Sequence, residues 1–204
     1  MRLRTKTILA LIWIFIILYP NPFSFITSLE RLSNPPVNSD LPLSVEDLSS
    51  DPKEIERFVN NYIEYEYDFA VYGVPWYIPT PHQVIENSKG DCKGRAILLA
   101  SILEQKDIPY SFRISPVHFW VDYPHKQETN FTKKYENASN ALYSDGNWRW
   151  PELMELQTYY ESWKAALWDS MPFLRKILLA GGLVIIAGWN RLIRIKHERF
   201  RKSF

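Results

Sequence analysis

Cysteine is nearly absent from this chain of 204 residues, which contains a single one, Cys92. One cysteine excludes an internal disulfide, so the fold cannot depend on covalent cross-links. Glycine is scarce as well, with seven residues, and no glycine-rich loop suited to holding phosphate groups is present. The four histidines are scattered, and neither an HExxH nor a CxxC motif occurs. We therefore expect neither a metal nor another cofactor.

Net charge is also nearly absent. The formal charge of +1 favours neither nucleic acid nor an acidic ligand as a partner. The basic residues are nevertheless uneven, because they cluster outside two apolar runs near the ends of the chain, as Arg2, Arg4 and Lys6 and as Arg191, Arg194, Lys196, Arg199, Arg201 and Lys202. Positive charge tends to stay on the cytoplasmic side of a membrane. This pattern predicts two cytoplasmic termini and a central domain outside the cell.

The first apolar run, residues 8–19, contains no charge. Extended through Ile26 it reaches the roughly 20 residues that a bilayer requires, although Pro20 and Pro22 are expected to break the helix. A basic start followed by an apolar core also fits a cleaved signal peptide. Bulky residues occupy the place of a small-x-small cleavage site. We therefore interpret residues 1–27 as an uncleaved membrane anchor.

The second apolar run, residues 173–189, is the other candidate membrane helix. Arg175 and Lys176 lie near its outer end, where long basic side chains can reach the interface. The pair Gly181-Gly182 suits a membrane helix better than a soluble one. A buried or interfacial helix is the alternative for this short run. We assign residues 171–204 to a transmembrane helix with a basic tail.

The central part of the sequence predicts an α+β domain over residues 51–170, joined to the anchor by a spacer at 28–50 that is rich in Ser, Pro, Asn and Asp. Asp51-Pro52 is a helix-start signal that precedes an apolar stripe with helical spacing. Further along, the patterns predict a helix at 92–106, strands at 110–115 and 117–123, a hairpin turn at Asp145-Gly146 and a helix at 152–168.

Cys92 stands at the first turn of the second predicted helix, directly after Gly90-Asp91. Free backbone N–H groups and the helix dipole at such a position favour a thiolate over a thiol. Gly90 allows a substrate to approach the backbone closely. The alternative is a buried cysteine that acts as a small apolar side chain.

His118 lies in the second predicted strand. Alternation along a strand places Phe119 and Val121 on one face and His118, Trp120 and Asp122 on the other. If the apolar face is buried and the cysteine helix covers the other, His118 can exchange a proton with the thiol. The alternative is a histidine that is hydrogen-bonded and inert.

A carboxylate should orient the imidazole ring in such a pair. Asp122 shares the face of His118, but two residues along a strand span roughly 7 Å, too far for a good hydrogen bond. The predicted hairpin at Asp145-Gly146 returns the chain and offers Glu152 near its end. An acidic residue in the first turn of a helix is also favourable without any catalytic role, so Glu152 has a structural alternative.

Together these segments resemble the transglutaminase-like (papain-like) superfamily. The resemblance covers about residues 52–155 and depends on five sequence segments: W-x(13)-G-D-C, R-A, D-I-P, H-F-W-V-D-Y and D-G-N-W. It implies an α+β core in which the helix carrying the cysteine packs on a small antiparallel sheet. It also implies Cys92 as nucleophile, His118 as base and a third catalytic residue at Glu152, with Trp76 and the Cys92 N–H stabilising an oxyanion and Asp91 and Asp122 supporting the site.

Three departures from the family pattern affect this resemblance. Glu152 stands where the family has aspartate, and its side chain is one methylene longer. A polar insertion of about twenty residues separates Tyr123 from Asp145. Asp107 replaces the usual glycine before Ile-Pro.

We therefore expect a membrane-anchored, cysteine-dependent acyl transferase or amide hydrolase that acts on peptide or protein amides through a thioester. The insertion contains two N-glycosylation triplets, at Asn130 and Asn137, which fit a location outside the cell. A non-catalytic peptide-binding module, using the aromatic loop with Tyr72, Trp76 and Tyr77, is the alternative function. A purely structural membrane hairpin would explain neither the cysteine nor His118.

Overall fold

The computed structural model describes residues 3–37, 41–127, 135–136, 141–144, 147–148, 150 and 156–201, with side chains described as far as residue 189. Within these residues helices predominate and the strands form two small sheets. The predicted α+β class is therefore confirmed.

The helices fall into three groups along the chain: terminal helices, helices of the domain, and a C-terminal pair joined by a π-helical segment. They are α1 (Leu3–Leu18), α2 (Pro22–Ser33), α3 (Pro52–Tyr62), α4 (Asp68–Val71), α5 (Pro81–Asn87), α6 (Cys92–Gln105), α7 (Leu156–Trp163), the π-helix Lys164–Asp169 and α8 (Phe173–Arg201). The strands are β1 (Glu64–Tyr65), β2 (Lys89–Gly90), β3 (Ser111–Ile114), β4 (Phe119–Asp122), β5 (Tyr143–Ser144) and β6 (Asn147–Trp148).

The larger sheet is antiparallel, with strand order β4-β3-β5-β6. Strands β3 and β4 pair in the register Phe112 opposite Val121, so both predicted strands are confirmed. Strands β5 and β6 pair with Ser144 opposite Asn147, as expected for a hairpin, although the turn residues Asp145 and Gly146 lie outside the described residues. A short parallel ladder, β1 with β2, brings Tyr65 opposite Gly90, just before the cysteine.

The core lies between α6, α3 and strand β4. Helix α6 is buried on nearly all sides from Ala96 to Leu103, as expected for a central helix without a polar face. Helix α3 contributes Ile55 and Val59. The predicted start of α3 is confirmed, because the carboxylate of Asp51 accepts a hydrogen bond from the Lys53 N–H at 3.0 Å.

Asp107 shows how the chain leaves α6 at a position where the sequence has no glycine. Its φ angle is 54°, in the left-handed region that glycine adopts without cost and aspartate tolerates better than most residues. The Ile108 N–H then donates to the Leu103 carbonyl at 2.9 Å. The turn before Pro109 is therefore formed with aspartate at position 107.

The segment expected to be a spacer packs on the domain. Val45 is only 2% exposed and belongs to the core. The hydroxyl of Ser28 accepts a hydrogen bond from the Ile78 N–H at 3.2 Å, and Arg31 donates to the Ile78 carbonyl at 2.7 Å. The polar composition of residues 28–50 therefore does not mark a linker, because a few well-placed side chains dock it.

Helices α1 and α8 pack antiparallel as a terminal hairpin. Lys6 donates to the Ala187 carbonyl at 2.6 Å, and Trp13 donates to the Leu178 carbonyl at 3.2 Å. Gly182 leaves room for the Trp13 indole.

The expectation of one continuous spanning helix at each end requires correction. Within the described part of the chain, no single helix is both long and apolar enough to cross a bilayer. Length and composition suffice only for two bent pairs, α1 with α2 at 80° and the α7–π segment with α8 as far as Trp189 at 97°. The first bend occurs at Pro20 and Pro22, since proline cannot continue a helix.

Candidate functional site

Cys92 is the first residue of α6, and Asp91 caps that helix. The Asp91 carboxylate accepts hydrogen bonds from the N–H groups of Lys93 at 2.9 Å and Gly94 at 3.5 Å. Asp91 therefore supports the site by fixing the helix start. A methyl group added at Gly90 would lie 3.5 Å from the Gly94 Cα, so the strand and the helix start approach each other closely here.

His118 is held by a tight turn just before β4. Its N–H donates to the Ser115 hydroxyl at 3.0 Å, and the Ser115 N–H donates to the His118 carbonyl at 2.8 Å. The His118 ring stacks on Trp120, with 5.7 Å between ring centroids and 15° between planes. The predicted alternation is confirmed at these two residues, since both rings lie on the same face.

The structure brings Cys92 and His118 together. Both residues line the same cleft, and Cys92 is among the groups that raise the pKa of His118. The thiol and the imidazole come from α6 and from the turn before β4, two elements that pack directly against each other. The predicted meeting of helix start and strand is therefore observed.

The carboxylate at His118 belongs to Glu136. Its Oε1 lies 3.1 Å from His118 Nε2, and its Oε2 lies 2.8 Å from the Lys126 ammonium. Lys126 in turn pairs with Glu56 at 3.2 Å, and Glu56 accepts a hydrogen bond from the Tyr123 hydroxyl at 2.6 Å. A chain of alternating charges thus holds Glu136 against the ring.

These contacts set the protonation of His118. Burial is the largest influence and alone would lower the pKa of the ring, but hydrogen bonds and charges from Cys92 and Glu136 outweigh it. The pKa of His118 is thereby raised from 6.5 to about 9. For Glu136, burial alone would raise the pKa, but His118 and Lys126 hold it below its ordinary value. The pair is therefore an imidazolium and a carboxylate at neutral pH.

Sequence reasoning missed Glu136. It lies in the polar insertion after Tyr123, which lacks helix or strand periodicity and was considered only a departure from the family pattern. Glu152, the position implied by the resemblance, lies outside the described residues. Asp122 pairs with Arg113, with 2.9 Å from its Oδ2 to Nε, so its carboxylate serves the sheet rather than the imidazole.

Trp76 lines the cleft beside Cys92, as expected for a residue of the site. Its carbonyl accepts a hydrogen bond from the Tyr19 hydroxyl at 3.1 Å, so the end of α1 holds the loop that carries it. Neighbouring Tyr77 has its N–H bonded to the Asp68 carboxylate at 2.7 Å. The peptide group that joins Trp76 to Tyr77 is therefore held at both its carbonyl and its N–H.

A buried ion cluster lies behind Cys92. Lys93 pairs with Asp68 at 2.9 Å and also with Asp91, and all three side chains are buried. Burial and the nearby charge of Asp91 raise the pKa of Asp68 to about 7, against the lowering effect of Lys93. Because Asp68 also binds the Tyr77 N–H, the cluster connects the start of α6 to the loop that carries Trp76.

The cleft has two halves that meet at Tyr65, Cys92, His118 and Phe119. The apolar half, of about 550 Å³, is lined mainly by aromatic and aliphatic side chains, among them Tyr67, Pro75, Trp76, Val117, Trp163 and Leu167. The charged half, of about 530 Å³, carries the side chains Lys53, Glu56, Arg57, Arg95 and Glu136. A chain-like substrate can therefore cross the thiol with a different environment on each side.

In the described parts of the chain, no group of three or more His, Cys, Asp or Glu residues is arranged to hold a metal ion. No protein-family model matches the chain, and comparisons with curated proteins and with solved structures also found no match.

Proposed function

We propose that this protein is a cysteine-dependent acyl transferase or amide hydrolase of the transglutaminase-like type, with peptide or protein amides as substrates. The observation that carries the proposal is the arrangement of three groups: Cys92 at a helix start, His118 beside it in the same cleft, and Glu136 on the imidazole at 3.1 Å. Nucleophile, base and orienting carboxylate in this order are the parts that thiol acyl transfer requires. The packing of α6 on the antiparallel strand β4 is the arrangement that the family resemblance implies.

The proposed reaction uses the imidazolium of His118, which Glu136 stabilises. The Cys92 thiolate attacks the amide carbonyl, the C–S bond forms, and the C–N bond breaks as the His118 imidazolium gives its proton to the departing nitrogen. The neutral imidazole then takes a proton from water or an acceptor amine. That nucleophile breaks the thioester, and the thiolate and imidazolium are restored when the sulfur leaves. Glu136 stabilises the imidazolium before and after each turnover.

Negative charge develops on the carbonyl oxygen during the attack. The Asp91 carboxylate caps Lys93 and Gly94 rather than Cys92, so the Cys92 N–H is a candidate donor to that oxygen. Trp76 lines the same cleft, and its indole N–H is the second candidate. Oxyanion stabilisation of this kind contributes roughly 3–4 kcal/mol per donor in other enzymes.

We also propose that the terminal hairpin holds the enzyme at a membrane with the cleft outside the cell. Lys6 of α1 meets Ala187 of α8, so the terminal ends of the two helices lie together and the domain lies at the other end, and in the sequence basic residues cluster towards both termini. Helix α2 and the α7–π segment turn through 80° and 97° from the hairpin. They expose apolar side chains, including Phe23 at 70% and Trp168 at 48%, which suits helices lying along a bilayer surface.

Alkylation of the single cysteine tests the catalytic pair directly. The full chain in detergent micelles is treated with iodoacetamide between pH 5 and 9, and the added mass is followed over time, with Cys92→Ser as the blank. We expect rapid alkylation of the natural protein, slowed at least tenfold in His118→Gln, because that variant loses the imidazole that exchanges a proton with the thiol. Equally slow alkylation in both proteins would reject the enzyme and favour the peptide-binding module.

Product analysis then separates the two reaction classes. Protein amides are incubated with the enzyme and a fluorescent primary amine, and mass spectrometry follows both incorporation of that amine and release of ammonia or of a peptide amine from the substrate. Incorporation indicates acyl transfer to amines, whereas release without incorporation indicates hydrolysis. Both signals should disappear in Cys92→Ser, and their persistence would show that the reaction does not pass through this thiol.

A further inference from the structure

We infer that the charged half of the cleft binds a carboxylate of the substrate, through Arg95 and Lys53, close to the bond that Cys92 attacks. The inference rests on the proposed function, since it defines which amides would reach the thiol. The substrates it predicts are amides that carry an acidic group on one side of the amide bond and an apolar group on the other.

Among the described residues that line the charged half, Arg95 and Lys53 are cations without a carboxylate partner. Arg57 is neutralised by Glu54 at 2.8 Å. Glu136 is bound by His118 and Lys126, and Glu56 by Lys126. Among the described residues, no carboxylate forms an ion pair with Arg95 or with Lys53. An anion entering this half would therefore meet unpaired positive charge.

The contacts of Arg95 orient its guanidinium without neutralising it. One terminal nitrogen, Nη2, donates to the Ile63 carbonyl at 2.7 Å and to the Asn60 carbonyl at 3.2 Å. The Arg95 Nε is buried and has no hydrogen-bond partner within the described structure. The guanidinium carbon lies 5.2 Å from the centre of the Tyr65 ring, which lines both halves of the cleft. The two carbonyls and the face of the Tyr65 ring hold the guanidinium in place. Its other N–H groups remain available to bind a carboxylate.

Arg95 is also close to the reacting atom. It lies three residues after Cys92 on α6, so about one helical turn separates the two side chains on neighbouring faces. Burial lowers the pKa of Arg95, and the charges of Tyr65 and Cys92 oppose this shift. A carboxylate on Arg95 would therefore lie near the scissile amide rather than at a remote point of the substrate.

The two halves of the cleft then impose opposite requirements. The apolar half, with Trp76, Trp163 and Leu167, offers aromatic and aliphatic contacts, and the charged half offers Arg95 and Lys53. A substrate with its carboxylate on the wrong side would leave an anion against aromatic walls. Desolvation of an anion without a partner is unfavourable, so the charge should fix the direction in which the substrate lies.

Two alkylating agents that differ mainly in charge test the inference. Cys92 is alkylated with anionic iodoacetate and neutral iodoacetamide, and the ratio of the two rate constants is compared between variants. We expect Arg95→Gln to lower this ratio at least threefold and Lys53→Gln about twofold, with both effects shrinking at 0.5 M salt as screening increases. Arg95→Lys should retain most of the preference, which separates charge from loss of fold.

Lys89→Gln is the matched control, because it removes one cation that lies outside both halves of the cleft. Its ratio should equal that of the natural protein. An unchanged ratio in both cation variants, or an equal fall in the control, would overturn the inference. Slow iodoacetamide alkylation of the natural protein would instead count against the proposed enzyme, and the ratio would still be measurable.

Protection of Cys92 distinguishes two sources of the carboxylate. Peptides ending in a free carboxylate, peptides with an internal glutamate and a blocked end, and neutral versions of both are compared for slowing iodoacetamide alkylation. Protection by only the first identifies a chain terminus, and protection by only the second identifies an acidic side chain. Equal protection by the neutral versions would reject carboxylate recognition.

Discussion

The His118 ring and the Glu136 carboxylate meet at 3.1 Å, although the chain between them runs through the polar insertion. Both side chains are largely withdrawn from water, with 14% and 9% of their surfaces exposed. Glu136 also holds the Lys126 ammonium. The insertion therefore delivers the group that controls the charge state of the histidine.

Replacing Glu136 by glutamine should lower the pKa of His118. The hydrogen bond and the charge of Glu136 both raise that pKa, which lies at about 9. Without them burial acts against only the Cys92 contribution, so the pKa moves down towards its ordinary value of 6.5. NMR titration of the His118 ring measures the shift. Glu152→Gln is the comparison, and a larger shift from that variant would return the role to the position implied by the resemblance.

The sequence predicted the parts of the site that have local signals. Asp91-Cys92 could be placed at a helix start because a capping residue precedes an apolar run, and His118 could be placed on a strand face by alternation. Glu136 could not be found this way. Its role depends on contacts with Lys126 and His118 that no spacing encodes, and strand-like or helical periodicity is missing around it.

The unfolding free energy should fall as the pH rises from about 6.5 to about 9. The folded protein binds the His118 proton more tightly than the unfolded chain, because the pKa is raised from 6.5 to about 9. This contribution is complete below the lower value and is lost as the pH passes the higher one, with a size on the order of 3 kcal/mol. Chemical denaturation of the natural protein and of His118→Gln should show their difference shrinking across this range. A constant difference would contradict the raised pKa.

Replacing Lys93 by methionine should destabilise the protein by about 3–5 kcal/mol, because Asp68 and Asp91 would remain buried without their cation. The loss should be smaller at pH 5 than at pH 8, since the raised pKa of Asp68 allows it to become neutral there. Lys89→Met is the matched control, because Lys89 forms pairs near the surface, with Glu64 at 3.3 Å and with Glu66 at 4.0 Å. The free energy of unfolding of both variants is measured by thermal and chemical unfolding. Equal destabilisation would show that the buried ion cluster contributes no more to stability than an exposed ion pair.

The domain boundary shows another limit of sequence reasoning. Residues 28–50 have the composition of a linker, yet Val45 enters the core and Arg31 binds the Ile78 carbonyl. The amino-acid composition of a segment indicates whether that segment would fold in isolation. Docking depends on whether a few of its side chains fit a surface formed elsewhere, and a single sequence does not reveal that surface.

Replacing Gly182 by leucine should separate α1 from α8, whereas the same change at Gly181 should not. A side chain at Gly182 would overlap the Trp13 indole, but nothing lies within 4 Å of one at Gly181. The overlap cannot be relieved cheaply, because the indole also donates to the Leu178 carbonyl. A short bismaleimide should join cysteines introduced at Lys6 and Ala187, whose side chain and carbonyl touch, in a Cys92→Ser background. Cross-linking that survives Gly182→Leu as well as it survives Gly181→Leu would show that the hairpin does not depend on this contact.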